Sequence, residues 1–133
     1  MGKRFAIVIG TAALGVAAAG LMALGAQTAS AGVVHYDTTV TITKEGGGGH
    51  SGLYHGQVKS EVSKCMKGRL VVVFKKRPGA DRKLGTDRSR GGYGWFSWWV
   101  NVHRDYGDRV RAVVKRKVRD RYVCRADRSN KFQ

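Results

Sequence analysis

The chain has 133 residues, with 25 lysines and arginines against nine aspartates and glutamates, so its formal net charge is +16. This length allows one modest hydrophobic core, so a single domain is expected. A positive charge of this size directs the search for partners towards anions.

Residues 1–31 predict an export signal. Lys3 and Arg4 precede an apolar run over residues 5–26, and small residues follow at 29–31, at the spacing that a signal peptidase accepts. The run is long enough to span a bilayer, so an uncleaved anchor is the alternative. The glycines and alanines that dilute the run favour cleavage. We expect a signal helix, a mature chain that begins near Gly32, and a secreted, extracellular protein that works at or near the cell envelope.

Export makes a disulfide the expected state of Cys65 and Cys124. Removing residues 1–31 leaves 102 residues with a net charge of 23 minus 9, or +14. Self-repulsion at this charge opposes compaction, and a covalent link between distant segments offsets it. Two buried free thiols are the alternative.

Past the signal, the sequence is typical of short strands separated by glycine-rich turns. Residues 39–43 alternate threonine with Val40 and Ile42, which predicts a strand with one wet face. A flexible glycine-rich loop follows at 46–52. Further strands are predicted at 53–59, at 69–75 as an interior strand, and at 84–87 as a brief edge strand, with turns at 65–68 and at Pro78-Gly79.

The segment over residues 94–100 carries all three tryptophans. Its even positions are uniformly apolar and are expected to face the core. The odd positions would then face outward, which gives three aromatic surface candidates that can stack on sugar rings or nucleobases or lie at a lipid headgroup boundary: Tyr93, Trp95 and Trp99. A central strand buried on both sides is the alternative.

Residues 109–126 alternate with period two, apolar at even positions except Arg116 and Asp120, and cationic at odd positions except Val113 and Val123. A helix capped by Asp108 is the alternative, but it captures fewer of the apolar residues. Eighteen residues exceed a usual strand, so we expect a turn between Arg116 and Arg121. The pattern predicts a ribbon with an apolar inner ridge and a cationic outer ridge.

Two groups of cations are the candidate anion-binding residues. The first is the outer ridge of the ribbon, which comprises Arg109, Arg111, Lys115, Lys117, Arg119 and Arg121. The second surrounds Pro78-Gly79 and comprises Lys75, Lys76, Arg77, Arg82 and Lys83. A solvated basic face without a ligand is the alternative interpretation of both groups.

No spacing singles out a catalytic constellation. A secreted nuclease would need a carboxylate base, a histidine acid and a cationic clamp, for which Glu61 and His103 are the candidates. His50 and His55 are five residues apart and predict at most weak metal binding, and disulfide-bonded cysteines are not zinc ligands. We expect no enzyme activity, no metal and no cofactor.

Four segments resemble small exported proteins of high-GC Gram-positive bacteria. These segments lie at residues 54–60, 65–69, 78–87 and 122–129. More distantly, the order of strands is similar to the carboxypeptidase-regulatory or transthyretin-like sandwich. This resemblance implies a seven-stranded Greek-key sandwich that acts as an accessory or display module. The tandem tryptophans replace the small apolar pattern expected after the glycine turn.

The sequence therefore predicts an all-β protein, a single antiparallel Greek-key β-sandwich of about seven strands. Residues 32–52 form an N-terminal strand and the glycine-rich loop, and residues 53–129 form the body of one domain that covers 32–133. The expected partner is an anionic polymer, such as teichoic acid or nucleic acid, or an anionic lipid surface. The alternatives are a hydrolase of nuclease type, a membrane-active effector and a module that binds another protein.

Overall fold

The computed structural model describes residues 31–46, 51–92 and 95–129. The predicted signal helix, Tyr93 and His50 lie outside these residues. All described residues belong to a compact unit that runs from Ala31 to Gln133.

The described chain consists almost entirely of strands, as the period-two patterns predict. Its one helical element is a short 3-10 helix at Ser63–Cys65. The strands are β1 Val34–Tyr36, β2 Thr39–Val40, β3 Thr43–Glu45, β4 Gly52–Lys59, β5 Leu70–Lys75, β6 Arg82–Arg88, β7 Arg90–Gly92, β8 Trp95–Val102, β9 Val110–Val114, β10 Lys117–Arg119, β11 Tyr122–Cys124 and β12 Asp127–Arg128.

Two antiparallel sheets pack face to face. The first has the order β2-β4-β8-β7, with β3 also paired to β4, and the second has the order β12-β9-β5-β6. The inward side chains of both sheets form one core. Its buried members are Val40, Tyr54, Val58, Val71, Val73, Trp98, Val100, Val102, Val110, Ala112 and Val114. The prediction of an all-β sandwich is confirmed, as are the interior position of β5 and the edge position of β6.

A third, smaller sheet has the order β1-β11-β10. The pairing of β1 with β11 is parallel, whereas the sequence predicts antiparallel strands only. Cys124 at the end of β11 forms the predicted disulfide with Cys65 of the 3-10 helix, with 5.4 Å between the Cα atoms. The disulfide therefore links the small sheet to the turn that precedes β5.

The described residues form twelve strands, whereas the sequence predicts about seven, in part because predicted strands are divided. β2 and β3 continue one register along β4, and between them Thr41 still donates its backbone N–H to the Gln57 carbonyl at 3.0 Å. This interruption faces Gly56, where a Cβ atom would collide with the Thr41 carbonyl oxygen. Glycine is therefore required where the two backbones approach each other.

The chain crosses from one large sheet to the other at a single residue, Ser89, between β6 and β7. Ser89 is buried. Its N–H donates to the Arg69 carbonyl at 2.9 Å, and its hydroxyl accepts the Arg69 N–H at 2.8 Å. The hydrogen bonds to Arg69, which directly precedes β5, therefore hold Ser89 at the point where the chain passes from β6 to β7.

The C-terminal ribbon divides as the predicted turn requires. β9 belongs to a large sheet, and β10 and β11 belong to the small sheet, with a turn at Asp120 and Arg121 between them. The inward position predicted for Val118 is wrong, since Val118 is exposed, whereas the neighbours Val123 and Cys124 on β11 are both buried. The apolar and cationic ridges therefore do not continue along the whole ribbon.

Candidate functional site

Arg69 is a buried arginine that connects four segments of the chain. One terminal nitrogen donates to the Thr38 hydroxyl at 2.9 Å and to the Cys65 carbonyl at 2.6 Å. The other donates to the carbonyls of Lys115 at 2.7 Å and Arg125 at 2.8 Å. Its Nε has no hydrogen-bond partner among the described residues. Burial lowers the pKa of the guanidinium, since desolvation disfavours the charged form.

A cleft of about 340 Å³ opens beside this buried cation, and we call it the Arg69 cleft. Strand ends and turns from three parts of the chain surround it. It is lined by Gly68, Arg69, Leu70, Arg88, Lys115, Arg116, Lys117, Val118 and Arg119. Six of these nine residues are cations and none is a carboxylate, so the cleft concentrates positive charge.

The cations that line the cleft lack acidic partners in the described part of the chain. Arg88 donates to the Gly68 carbonyl at 3.1 Å, and Lys117 donates to the carbonyls of Lys64 at 2.9 Å and Lys67 at 3.4 Å. Neutral carbonyls orient these side chains and leave their charge uncompensated. No ion pair involves a cation of the cleft within the described ranges.

The pKa of Lys117 reflects this accumulation of charge. Burial lowers the pKa of its ammonium group, and the positive charges of Arg119 and Arg69 lower that pKa further. A bound anion would reverse the second effect. The cleft is therefore electrostatically prepared for an anionic group.

The structure brings together three of the six predicted cations of the C-terminal ribbon. Lys115, Lys117 and Arg119 line the cleft. Arg109 precedes β9 at the opposite end of that strand, and Arg121 lies in the turn after β10. Arg111 is held in an ion pair with Asp81. The six cations therefore do not all lie together, because the ribbon changes sheets after Val114.

The second predicted group is largely neutralised by two aspartates. Arg77 and Arg82 both pair with Asp105, and Lys75 donates to the Asp105 carbonyl at 2.9 Å. Lys76 pairs with Asp81 at 3.4 Å between nitrogen and oxygen. Lys83 is exposed. These cations hold the loops of this end of the sandwich together, and they offer less free charge to a ligand than the cleft does.

The aromatic candidates have the predicted orientation where they are described. Trp98 is fully buried, whereas Trp95 and Trp99 are 57% and 43% exposed. Phe96, Val100 and Val102 are buried with Trp98. The alternative of a strand buried on both sides is therefore wrong, and the described tryptophans divide between core and surface as their parity predicts.

The residues considered for a nuclease do not meet. Glu61 follows the end of β4, whereas His103 follows β8 next to the beginning of β4. Eight residues of extended strand separate these ends by about 26 Å. His55 lies 3.3 Å from a Glu45 carboxylate oxygen. Within the described residues there is no group of three or more side chains suited to hold a metal ion.

Sequence reasoning missed the central position of Arg69 and the contribution of Arg88 and Arg116 to the cleft. Arg69 precedes the apolar run of β5, and a lone cation beside a buried strand is a signal for a buried hydrogen-bonded residue. Arg116 interrupts the alternation of the ribbon, at the point where the chain leaves one sheet for another. This cation at an even position is the sequence feature that indicates the cleft.

Comparison with family models, with curated proteins and with solved structures gave no match to this chain. Across the three described ranges, no helix has the length and apolar character needed to cross a membrane.

Proposed function

We propose that this protein is a secreted, non-catalytic binding protein for anionic polymers, and that the Arg69 cleft is where it holds their charged groups. The supporting observation is the cluster of five accessible cations, without a carboxylate among them, around a sixth that is buried. Like charges so close together destabilise the free protein. An anionic ligand relieves that repulsion when it binds.

Phosphate is the anionic group that best suits the cleft. Four of its residues are arginines, and the three accessible ones are Arg88 of β6, Arg116 between β9 and β10, and Arg119 of β10. A guanidinium donates two parallel hydrogen bonds to phosphate oxygens. Lys115 and Lys117 add point charges. A phosphate-rich polymer of the cell envelope or an extracellular nucleic acid provides many such groups in succession.

Counterion release gives the proposal a direct test. A polymer bound through several phosphates loses affinity steeply as salt rises, with a logarithmic slope of roughly −0.7 to −0.9 per phosphate contact. We expect polyphosphate to bind the chain that begins at Gly32, with an affinity that falls at least tenfold between 50 and 200 mM salt. Neutral dextran serves as the control. Equal affinity for polyphosphate at both salt concentrations would contradict the proposal.

The proposed location has its own test. The disulfide between Cys65 and Cys124 is compatible with an oxidising compartment. We expect the protein to accumulate in the culture medium or on the cell surface, with Gly32 as its first residue by N-terminal sequencing. A cell-associated chain that retains residues 1–31 would support the uncleaved anchor instead.

A further inference from the structure

The outer face of the sheet that contains β8 carries an aromatic surface beside the cleft. Trp95 and Trp99 lie four residues apart on β8, so their Cα atoms are about 13 Å apart on the same face. Gln57 and Ser97 are directly opposite each other in the register between the two tryptophan positions. The surface thus presents two large planar side chains with hydrogen-bonding groups between them.

Trp99 is held in place by groups that also carry charge. The Arg90 guanidinium lies over its ring, 4.3 Å from the centroid. Asp87 pairs with Arg90 and accepts the backbone N–H of Trp99 at 2.9 Å. A planar ring can stack on an indole or on a guanidinium, so both side chains provide a stacking surface.

Strands β6 and β7 connect the aromatic surface with the Arg69 cleft. A shallow depression of about 700 Å³ is lined by Lys67, Arg88 and Arg90, and by Asp87, which pairs with Arg90. It shares Gly68, Leu70 and Arg88 with the Arg69 cleft. A ligand that stacks near Trp99 can therefore continue into the cationic cleft without leaving the surface.

We propose that the polyanion is a single-stranded nucleic acid, whose bases stack on Trp95, Trp99 and the Arg90 guanidinium while its phosphates follow Arg88 into the Arg69 cleft. This inference rests on the proposed function. It requires a polymer whose every unit carries both a planar ring and an anionic group, because Arg90 lies over Trp99 and also lines the depression that shares Arg88 with the cleft. Teichoic acids supply phosphates without planar aromatic rings, and a duplex keeps its bases stacked on each other.

The test compares three probes of equal length at one salt concentration: a 20-nucleotide oligo(dT), an abasic strand with the same phosphates, and a 20-base-pair duplex. We expect oligo(dT) to bind the protein at least tenfold more tightly than the abasic strand. In the variant Trp95→Ala/Trp99→Ala, oligo(dT) affinity falls to that of the abasic strand, and abasic affinity stays unchanged. The variant Trp95→Phe/Trp99→Phe retains most of the preference, because phenylalanine still offers a stacking face.

A spectroscopic measurement checks the same inference on the wild-type protein, without any substitution. Stacking of a base quenches the fluorescence of the exposed Trp95 and Trp99. Trp98 is buried, so its emission is not affected by the ligand. We expect oligo(dT), but not the abasic strand, to quench the emission of the wild-type protein.

The outcomes separate the inference from the function on which it rests. Equal binding of oligo(dT) and abasic strand, with no effect of the tryptophan substitutions, would overturn the inference and leave polyanion binding intact. Tryptophan-dependent binding of a uronate polysaccharide or of anionic lipid vesicles, without a preference for oligo(dT), would overturn it in favour of those ligands. Failure of all three probes and of polyphosphate to bind would overturn the proposed function itself.

Discussion

The Arg69 guanidinium donates a 2.6 Å hydrogen bond to the backbone carbonyl of Cys65, the residue whose sulfur joins the small sheet to the 3-10 helix. The same guanidinium donates to the carbonyl of Arg125, which follows the disulfide partner Cys124. A covalent bond and a buried cation therefore connect the same two segments. Arg69 also lines the cationic cleft, so this connection lies next to it.

Replacement of Arg69 by lysine tests the structural half of this relationship. Arg69→Lys keeps the charge but cannot serve four acceptors, and we expect it to leave the carbonyls of Lys115 and Arg125 without a donor. Each unsatisfied buried acceptor costs roughly 1–3 kcal/mol, so the free energy of unfolding should fall by about 2–6 kcal/mol. Urea unfolding with the disulfide intact measures this. Arg88→Lys, on an exposed residue, is the control and should change stability by less than about 1 kcal/mol; an equally small loss for Arg69→Lys would contradict the role assigned to it.

Removal of the disulfide tests the covalent half. The 59-residue separation corresponds to about 4 kcal/mol in the chain-entropy model, so Cys65→Ser/Cys124→Ser should lose roughly that amount in urea unfolding. Because the disulfide and Arg69 connect the same segments, the losses should be coupled by at least about 0.5 kcal/mol in a double-mutant cycle with Arg69→Lys. Strictly additive losses would show that the two links act independently.

Lys117 reports the electrostatic state of the cleft. Its folded pKa is lowered, so the penalty for its charge is present below that pKa and is relieved as pH rises towards the unfolded value. Stability from this group should therefore increase with pH in the alkaline range. Arg119→Gln removes one source of repulsion and should raise the pKa of Lys117, as measured by NMR titration of its side chain. Lys59→Gln, outside the cleft, should leave that pKa unchanged; a shift equal to that of Arg119→Gln would contradict a local cause.

Gly56 tests the close approach of the edge segments to β4. A Cβ atom there would collide with the Thr41 carbonyl oxygen and lie 3.1 Å from the Trp98 ring. We expect Gly56→Ala to lower the free energy of unfolding by about 1–3 kcal/mol, because neither neighbour can move freely. Gly32→Ala is the matched control, since nothing lies within 4 Å of a Cβ atom at that position. Thermal unfolding of both variants decides the point, and equal melting temperatures would show that the backbone accommodates the methyl group.

Local patterns were sufficient to predict much of this fold. The alternation around Trp98 assigned both faces of β8, and the valine run of β5 indicated an interior strand. These features depend on neighbours within a few residues. The disulfide was predictable because the chain contains only two cysteines and a predicted export signal.

Long-range pairing explains what the sequence did not reveal. Asp105 neutralises Arg77 and Arg82 from a loop more than twenty residues away, so the density of cations around Pro78 overstated the charge available there. Arg69 meets the carbonyl of Arg125 across 56 positions. No local pattern encodes such contacts, and the cleft exists only after the second large sheet and the small sheet have come together.

The most direct test of the account compares two triple variants that remove the same charge. Lys115→Gln/Arg116→Gln/Arg119→Gln removes three of the six positive charges of the cleft, while Lys117 keeps its hydrogen bonds to carbonyls. Lys59→Gln/Lys83→Gln/Arg104→Gln removes three exposed cations elsewhere. We predict that the cleft variant reduces the salt slope of polyphosphate binding by about 2–3, whereas the control variant changes it by less than about 1. Equal reductions in the two variants would show that net charge alone attracts the polymer and would contradict a binding role for the Arg69 cleft.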